Sequence, residues 1–242
     1  MPHDTLAPEQ HQKKTHRSLL RRYGQLSGAA LLRPLIEDEF RVRIALVSSF
    51  GTESAVLLHM VASIDPAVPV LFIDTGKLFD ATLRYRDALT ARLGLRDVRT
   101  IGPAPAAVVA ADHDGTLWAR DPDACCDLRK VVPLAAVLSG FDAWLSGRKR
   151  YQGGARTALP TIEIAEGKVK INPLAGWSRA EIDDAFARLD LPRHPLEAEG
   201  FLSVGCTTCT ARVAPGADPR SGRWAGTAKT ECGIHLALRK SA

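Results

Sequence analysis

Five cysteines fall in three places along the 242 residues: an adjacent pair, Cys125-Cys126, a spaced pair, Cys206-x-x-Cys209, and Cys232 near the C-terminus. An odd count leaves one thiol over from any closed disulfide framework, and such frameworks belong to oxidising compartments. Clustered thiols in a reducing compartment point instead to metal or redox chemistry. A Cys-x-x-Cys turn can place two thiolates on one metal centre. Consecutive side chains diverge, so Cys125 and Cys126 reach one centre only through a kinked backbone or around something larger than a single ion. Spacing alone leaves three readings open. One is an iron–sulfur cluster, whose separate iron corners take separate thiolates. The second is a structural zinc site. The third is no metal: a dithiol redox pair plus two buried core cysteines. Arg129 and Lys130, just after the adjacent pair, favour a cluster because they would offset its negative charge.

The fifth cysteine sits in Lys229-Thr230-Glu231-Cys232-Gly233-Ile234-His235. The thiolate is the reactive form, and Lys229, His235 and Arg239 are near enough in sequence to lower its pKa. In a helical segment His235 would share a face with Cys232. Glycine beside it and a terminal position favour mobility. Taken alone, a single tail cysteine is more often incidental than catalytic.

These thiols need a scaffold, and the hydrophobic pattern supplies one. Leu19, Leu20, Tyr23 and Leu26, with Leu31 and Leu32 beyond, predict an amphipathic helix on the domain's flank. Strands are predicted at Val42–Val47, Val68–Ile73, Asp97–Ile101 and Phe141–Leu145, alternating with helices at Ala55–Val61, Leu78–Leu93 and Arg129–Leu138. Such alternation means an α/β fold, a mainly parallel sheet with helices on both faces. Thr161–Ile164 and Lys168–Ile171 flank a turn with Gly167 and read as a hairpin added at one side. Ser178-x-x-Glu181 is a capping box opening a helix over Arg179–Leu189. After Pro192 the chain turns irregular and carries three of the cysteines.

The turn Ser48-Ser49-Phe50-Gly51-Thr52-Glu53-Ser54 joins the first strand to its helix, where unpaired N–H groups and the helix dipole attract phosphate or sulfate. The bland alternative is a plain connection with Thr52 or Ser54 as helix cap. Neither G-x-G-x-x-G nor G-x-x-x-x-G-K-[ST] occurs. Asp74-Thr75-Gly76 at the end of the second strand is a single copy, so it lacks the facing pair an aspartic protease needs and fits a nucleotide pocket better. Composition is that of a soluble globular protein, 45% hydrophobic and 24% charged. A net charge of +5 suits an anionic ligand, weak nucleic-acid binding or plain solubility equally. No apolar run approaches the roughly 20 residues of a membrane span, and the basic N-terminus has no apolar stretch behind it, so the cytoplasm is the expected compartment.

Taken in order, Ser48-Ser49-Phe50-Gly51, Ile73-Asp74-Thr75-Gly76-Lys77, Cys125-Cys126-x-x-Arg129-Lys130, Gly147-Arg148-Lys149-Arg150-x-Gln152, Gly205-Cys206-x-x-Cys209-Thr210, Gly222-Arg223-Trp224 and the Cys232 segment resemble the adenylyl-sulfate and phosphoadenylyl-sulfate reductase family. The resemblance implies an adenine-nucleotide α-hydrolase-like fold with a leader over 1–40, a nucleotide- and cluster-binding domain over 41–211 and a mobile catalytic tail over 212–242. It implies a 4Fe–4S cluster on Cys125, Cys126, Cys206 and Cys209, which in this family goes with reduction of adenosine 5′-phosphosulfate (APS). Reduction of the 3′-phosphorylated substrate, or of both, is the nearest alternative. An ATP-dependent tRNA-modifying enzyme of related fold and a zinc-binding nucleic-acid module are more distant ones. The single glycine of the first loop and its Phe50 speak against ATP cleavage. The resemblance further implies Cys232 as nucleophile with His235 beside it. Lys130, Lys149, Arg150, Arg156, Arg220 and Arg223 are the implied cations for the substrate. Ser48, Ser49 and Gly51 fall to its phosphate end, and Asp74 and Gly76 to its nucleoside. No sixth cysteine exists to resolve a covalent intermediate, so thioredoxin or glutaredoxin is the expected reductant. The expected setting is sulfate assimilation and cysteine biosynthesis, with no nucleic-acid or membrane partner and room for a homo-oligomer.

Overall fold

The computed structural model describes residues 8–165 and 167–235; Arg239 lies outside them. Six strands form one sheet in the order β3-β2-β1-β4-β6-β5. They are β1 (Ile44–Ser48), β2 (Val70–Ile73), β3 (Val98–Ile101), β4 (Ala143–Leu145), β5 (Ile162–Ala165) and β6 (Lys168–Ile171). All pairings are parallel except β5 with β6. The central strands are apolar on both faces, as parallel strands covered by helices must be. Ile44, Leu46, Phe72, Leu145 and Ile171 pack on one face against α3 (Ser54–Ala62), α4 (Asp80–Leu93) and α9 (Arg179–Arg188), and Ala45, Leu71, Ile73 and Trp144 on the other against α8 (Val132–Leu138).

Several boundaries differ from the predicted ones for local reasons. Val42 is 88% exposed in a turn, because Arg41 takes a positive φ and Arg43 reaches across to Asp142, so β1 starts only at Ile44. The N-terminal pattern resolves into two helices, α1 (Pro8–Tyr23) and α2 (Gly28–Pro34). Leu19 and Tyr23 are buried, while Leu20 and Leu26 are exposed. The hairpin strand β6 also pairs in parallel with β4, so it extends the main sheet. The capping box forms as expected, with Ser178 Oγ accepting the Glu181 N–H and the Glu181 carboxylate accepting the Ser178 N–H. The stretch between β3 and α8, unassigned by periodicity, folds into short helices α5 (Pro105–Ala111), α6 (Leu117–Arg120) and α7 (Pro122–Cys126). A π-helical turn, Asp127–Val131, then joins α7 to α8. Both adjacent cysteines thus lie in the last turn of α7, and the π-helical turn begins just after them, carrying Arg129 and Lys130.

β1 leads to β2 on one side and borders β4 on the other, so the sheet order reverses there. Ligands of open α/β sheets bind at such a switch, beyond the strands' C-terminal ends. The first loop is held at this point by Phe50, which is fully buried, adopts φ +48° and meets Phe72 edge-on at 5.5 Å. Phe50→Ala is expected to cost about 3–5 kcal/mol, the usual range for emptying a core aromatic site, read as a lower urea midpoint at unchanged m-value. Wild-type stability in that variant would mean the loop does not depend on this anchor.

Candidate active site

A cavity of about 210 Å³ opens at the switch point. Its floor is the first loop and the segment after β4, and its far wall is the C-terminal segment. Ser48, Ser49 and Gly51 line it, but neither Thr52 nor Ser54 caps α3. Thr52 Oγ1 donates to Leu202 O at 3.1 Å and Ser54 Oγ to Gly51 O at 2.7 Å. The helix N-terminus is thus left without a side-chain cap.

Cys232 stands in the far wall, 9% exposed, in contact with Cys126 and Trp224. Its thiol titrates below the ordinary cysteine range. A hydrogen bond from the Cys126 thiol lowers it, burial opposes, and Lys130 and the Ile234 N–H assist. Cys126 is correspondingly raised by that bond and by burial. Burial works against the Lys130 charge, but Cys232, Cys206 and Cys126 outweigh it and hold the ammonium above its usual range. Burial lowers Arg223, opposed by the sulfurs of Cys206, Cys232, Cys209 and Cys126. Arg220 is brought down to about 10 by burial and by Arg156.

Glu231 fixes this segment. Its carboxylate receives Arg156 Nε at 2.5 Å and Nη2 at 2.8 Å, lies 3.5 Å from Arg220 Nη2, and accepts the Cys232 N–H at 2.9 Å. Burial would raise its pKa, but Arg156 and Arg220 prevail and depress it. Gly233 passes so close to the π-helical turn that a Cβ there would stand 2.9 Å from Val131. The backbone thereby reaches the helix that carries Cys126.

The cavity gathers most of the predicted residues. Lys130, Lys149, Arg156, Arg220, Arg223, Cys206, Cys232 and His235 line it together with the first loop. Three do not. Arg150 is exposed and turns its Nε to Leu159 O. Asp74 and Gly76 stand behind the wall, the carboxylate accepting the Gly76 N–H at 2.8 Å in a tight turn that needs φ +69° at Gly76. Lys149 lines the cavity but is not a free cation: it is 2% exposed and bonded to Glu53 at 2.7 Å. His235 does not act as a cation. Burial, with Lys170, Arg148, Arg156 and Arg220 around it, pushes its pKa well below the usual value. Its ring lies parallel to Trp144 at 6.2 Å, and Lys170 lies over the same indole at 4.6 Å. Glu53 and Glu231 are the functional carboxylates the sequence reading passed over. Only Glu231, adjacent to Cys232, had a positional signal.

The other three cysteines lie nearby. Cys125 and Cys206 are buried and Cys209 is half-buried. Cys125 is raised by burial, eased by Arg129, and senses both Cys206 and Cys209. Among the described residues no three His, Cys, Asp or Glu side chains close on one point as ligands of a single ion would. Trp224 Nε1 and Arg129 Nε are buried with no partner among the described residues.

Fold and site thus define an α/β protein that offers a buried, tail-borne thiol to a cationic cavity at the edge of a parallel sheet. Residues 43–212 match the phosphoadenosine phosphosulfate reductase domain. The chain is 50% identical over 214 residues to the adenosine 5′-phosphosulfate reductase of Mesorhizobium japonicum, covering 88% of this chain and 84% of that protein. It is 44% identical over 195 residues to the enzyme of that name from Rhodococcus erythropolis, covering 80% and 79%. Among solved structures, the phosphoadenylyl-sulfate reductase of Candida auris in a phosphate complex superposes with a TM-score of 0.68 at 25% identity, over 87% of this chain and all of that one. Yeast FAD synthetase shares the fold alone, at TM-score 0.52 and 15% identity over 84% of this chain and 75% of that one. The chain belongs to the phosphoadenosine phosphosulfate reductase family.

Because the Glu231 pKa is depressed on folding, its contribution is present above the ordinary carboxylate value of about 4.3 and is lost as pH falls through the lower folded value. Glu231→Gln is expected to speed amide exchange of residues 229–235 at neutral pH by roughly tenfold or more, since it leaves Arg156 buried without its counter-charge. The variant also removes the acid-dependent part of that protection. Unchanged exchange would show that the pair does not hold the segment.

Proposed function

We propose that this chain reduces adenosine 5′-phosphosulfate to sulfite and AMP, with Cys232 as nucleophile and a 4Fe–4S cluster held by Cys125, Cys126, Cys206 and Cys209. The observation that carries the reading is the placement of a buried thiol, Cys232, among Lys130, Arg220 and Arg223 on the wall of an anion-ready cavity. The name shared by the most similar relatives supplies the substrate.

The Cys232 thiolate attacks the sulfur of the phosphosulfate. The S–O bond to AMP breaks, AMP leaves with the electron pair, and Cys232 carries an S-sulfonate. Lys130, Arg156, Arg220 and Arg223 neutralise the sulfonyl oxygens and the departing phosphate, the guanidiniums by forked contacts. Ser48, Ser49 and Gly51 receive the phosphate end at the uncapped start of α3. Asp74 and Gly76 contribute indirectly, by shaping the turn that carries Thr75. Glu231 occupies Arg156 and Arg220 in the closed form, and the cavity is smaller than the roughly 300–1,000 Å³ of ordinary small-molecule sites. The segment therefore swings out to admit the nucleotide and returns with Cys232. His235, neutral and stacked on Trp144, seats the end of that segment.

The donor set fits a cluster. Cys125 senses both Cys206 and Cys209, Cys126 packs in one hydrophobic cluster with Cys209, cations Lys130 and Arg223 sense these sulfurs, and buried N–H groups of Trp224 and Arg129 have no partner among the described residues. When bound, the cluster supplies fixed charge beside the nucleophile, while thiols supply both electrons of the reduction. Were Cys126 a ligand, its hydrogen bond to Cys232 would be lost and Lys130 would remain to hold the Cys232 thiolate. Cys232 then has no internal resolving partner, so an external dithiol completes the cycle. The first thiolate of thioredoxin, or of glutaredoxin, attacks Cys232 Sγ and sulfite leaves. The second thiol breaks the mixed disulfide and restores Cys232. These thiols work in a reducing compartment such as the cytoplasm. No helix among the described residues is long and apolar enough to cross a membrane.

Anaerobically purified protein is expected to be brown and to form sulfite from APS with thioredoxin, and far more slowly from the 3′-phosphorylated nucleotide. Cys232→Ser is expected to abolish sulfite, and Lys130→Gln to lower kcat/KM about 100-fold, the scale of losing one charge-stabilising donor. Sulfite formation by Cys232→Ser would overturn the mechanism, and preference for the 3′-phosphorylated nucleotide the substrate assignment.

A further inference from the structure

Asp112 lies outside the cavity, just past the end of α5, with its carboxylate fully buried. One oxygen accepts the Leu117 N–H at 2.7 Å and the other accepts Arg129 Nη2 at 2.6 Å. Arg129 follows Cys125 and Cys126 by about one turn and is 6% exposed. Its second terminal nitrogen, Nη1, donates to Thr75 O at 2.7 Å. Thr75 is 1% exposed, and its hydroxyl oxygen accepts the Lys77 N–H at 3.2 Å. The same hydroxyl lies within hydrogen-bond reach of Cys206 Sγ, 3.2 Å away. The same loop is stitched to the second cysteine pair by the backbone, through Thr207 N–H to Lys77 O at 2.8 Å and the bridge between Leu78 and Cys206.

A forked guanidinium therefore ties the helical stretch bearing Cys125 and Cys126 to the loop after β2, and that loop in turn contacts the segment that carries Cys206. Stability does not account for it, since a buried ion pair is often no better than an apolar pair of the same volume. What such a pair does supply is a fixed direction for the fork. Two of its arms are used, and the remaining Nε–H is buried with no partner among the described residues, on a residue whose charge Cys125 senses.

We infer that Asp112 is a positioning residue for the four-cysteine centre: through Arg129 it sets the separation of the two cysteine pairs and leaves one N–H for their sulfurs. The inference rests on the cluster reading above and deepens it. Its consequence is a rate of cluster loss, separable from turnover.

The test follows visible absorbance and iron release to a ferrous chelator in anaerobically purified wild type, Asp112→Asn and the double variant Asp112→Leu/Arg129→Met. Asp112→Asn strands a charge; the double variant removes both charges and is expected to keep the wild-type circular dichroism and iron-free thermal midpoint. Both are expected to lose iron about tenfold faster than wild type or more, the range for removing an outer support of a metal ligand. Arg129→Lys keeps the charge but lacks the planar fork and its Nε–H, and is expected to fall between. Iron retention equal to wild type in a folded double variant overturns the role of Asp112 and leaves the cluster reading standing. A wild-type protein that binds no iron overturns the cluster reading, and the inference with it.

Discussion

Glu231 and Arg156 form the contact on which the rest of the site depends. They are 75 residues apart in sequence and both buried, and they pull a segment with little apolar surface of its own against the domain. Breaking such a pair strands a charge in a dry setting, so the closed arrangement is well defined while the pair lasts. Closure does two things at once. It brings Cys232 to Lys130 and Cys126, and it fills the guanidinium cluster with a carboxylate. An incoming phosphosulfate offers the same arginines more negative charge than Glu231 does. On the proposed mechanism one set of cations serves the resting and the reacting states.

The same cations bear on the cysteines. Lys130 and Arg223 sense the sulfurs of Cys126, Cys206 and Cys232 together. The nucleophile and the proposed cluster therefore share one electrostatic environment. On that proposal a cluster held by the four cysteines would act on Cys232 through Lys130, without passing electrons.

Much of this was legible in the sequence, and the remainder was hidden for identifiable reasons. The central strands announced themselves as short apolar runs, and Ser178 with Glu181 as a capping box, because those signals are local. The helices between β3 and α8 were missed because each is too short to show a period. Asp121-Pro122 was nonetheless a readable start: Asp121 caps α7 and Pro122 takes its first turn. Cysteine spacing singled out four thiols as candidate donors but left the metal open, and the ordered motifs indicated the family that the domain match shows. Pairings across long separations were not readable. Nothing local marks Glu53 as the partner of Lys149, 96 residues away, or Asp112 as that of Arg129. Arg150 and Lys149 were indistinguishable as neighbouring cations in one motif, yet one faces out and the other is buried against a carboxylate. His235 was read as a cation from its neighbours in sequence, whereas its neighbours in space are four positive side chains.

The central claim is that Cys232 takes the sulfonyl group before any reductant acts. The most direct measurement is intact-protein and peptide mass spectrometry of the anaerobic protein mixed with one equivalent of adenosine 5′-phosphosulfate and no dithiol. The account predicts release of one equivalent of AMP and a mass gain of one SO₃ group located on Cys232, reversed with release of sulfite on adding reduced thioredoxin. AMP and sulfite appearing with Cys232 unmodified, or the adduct forming on another cysteine, would contradict it.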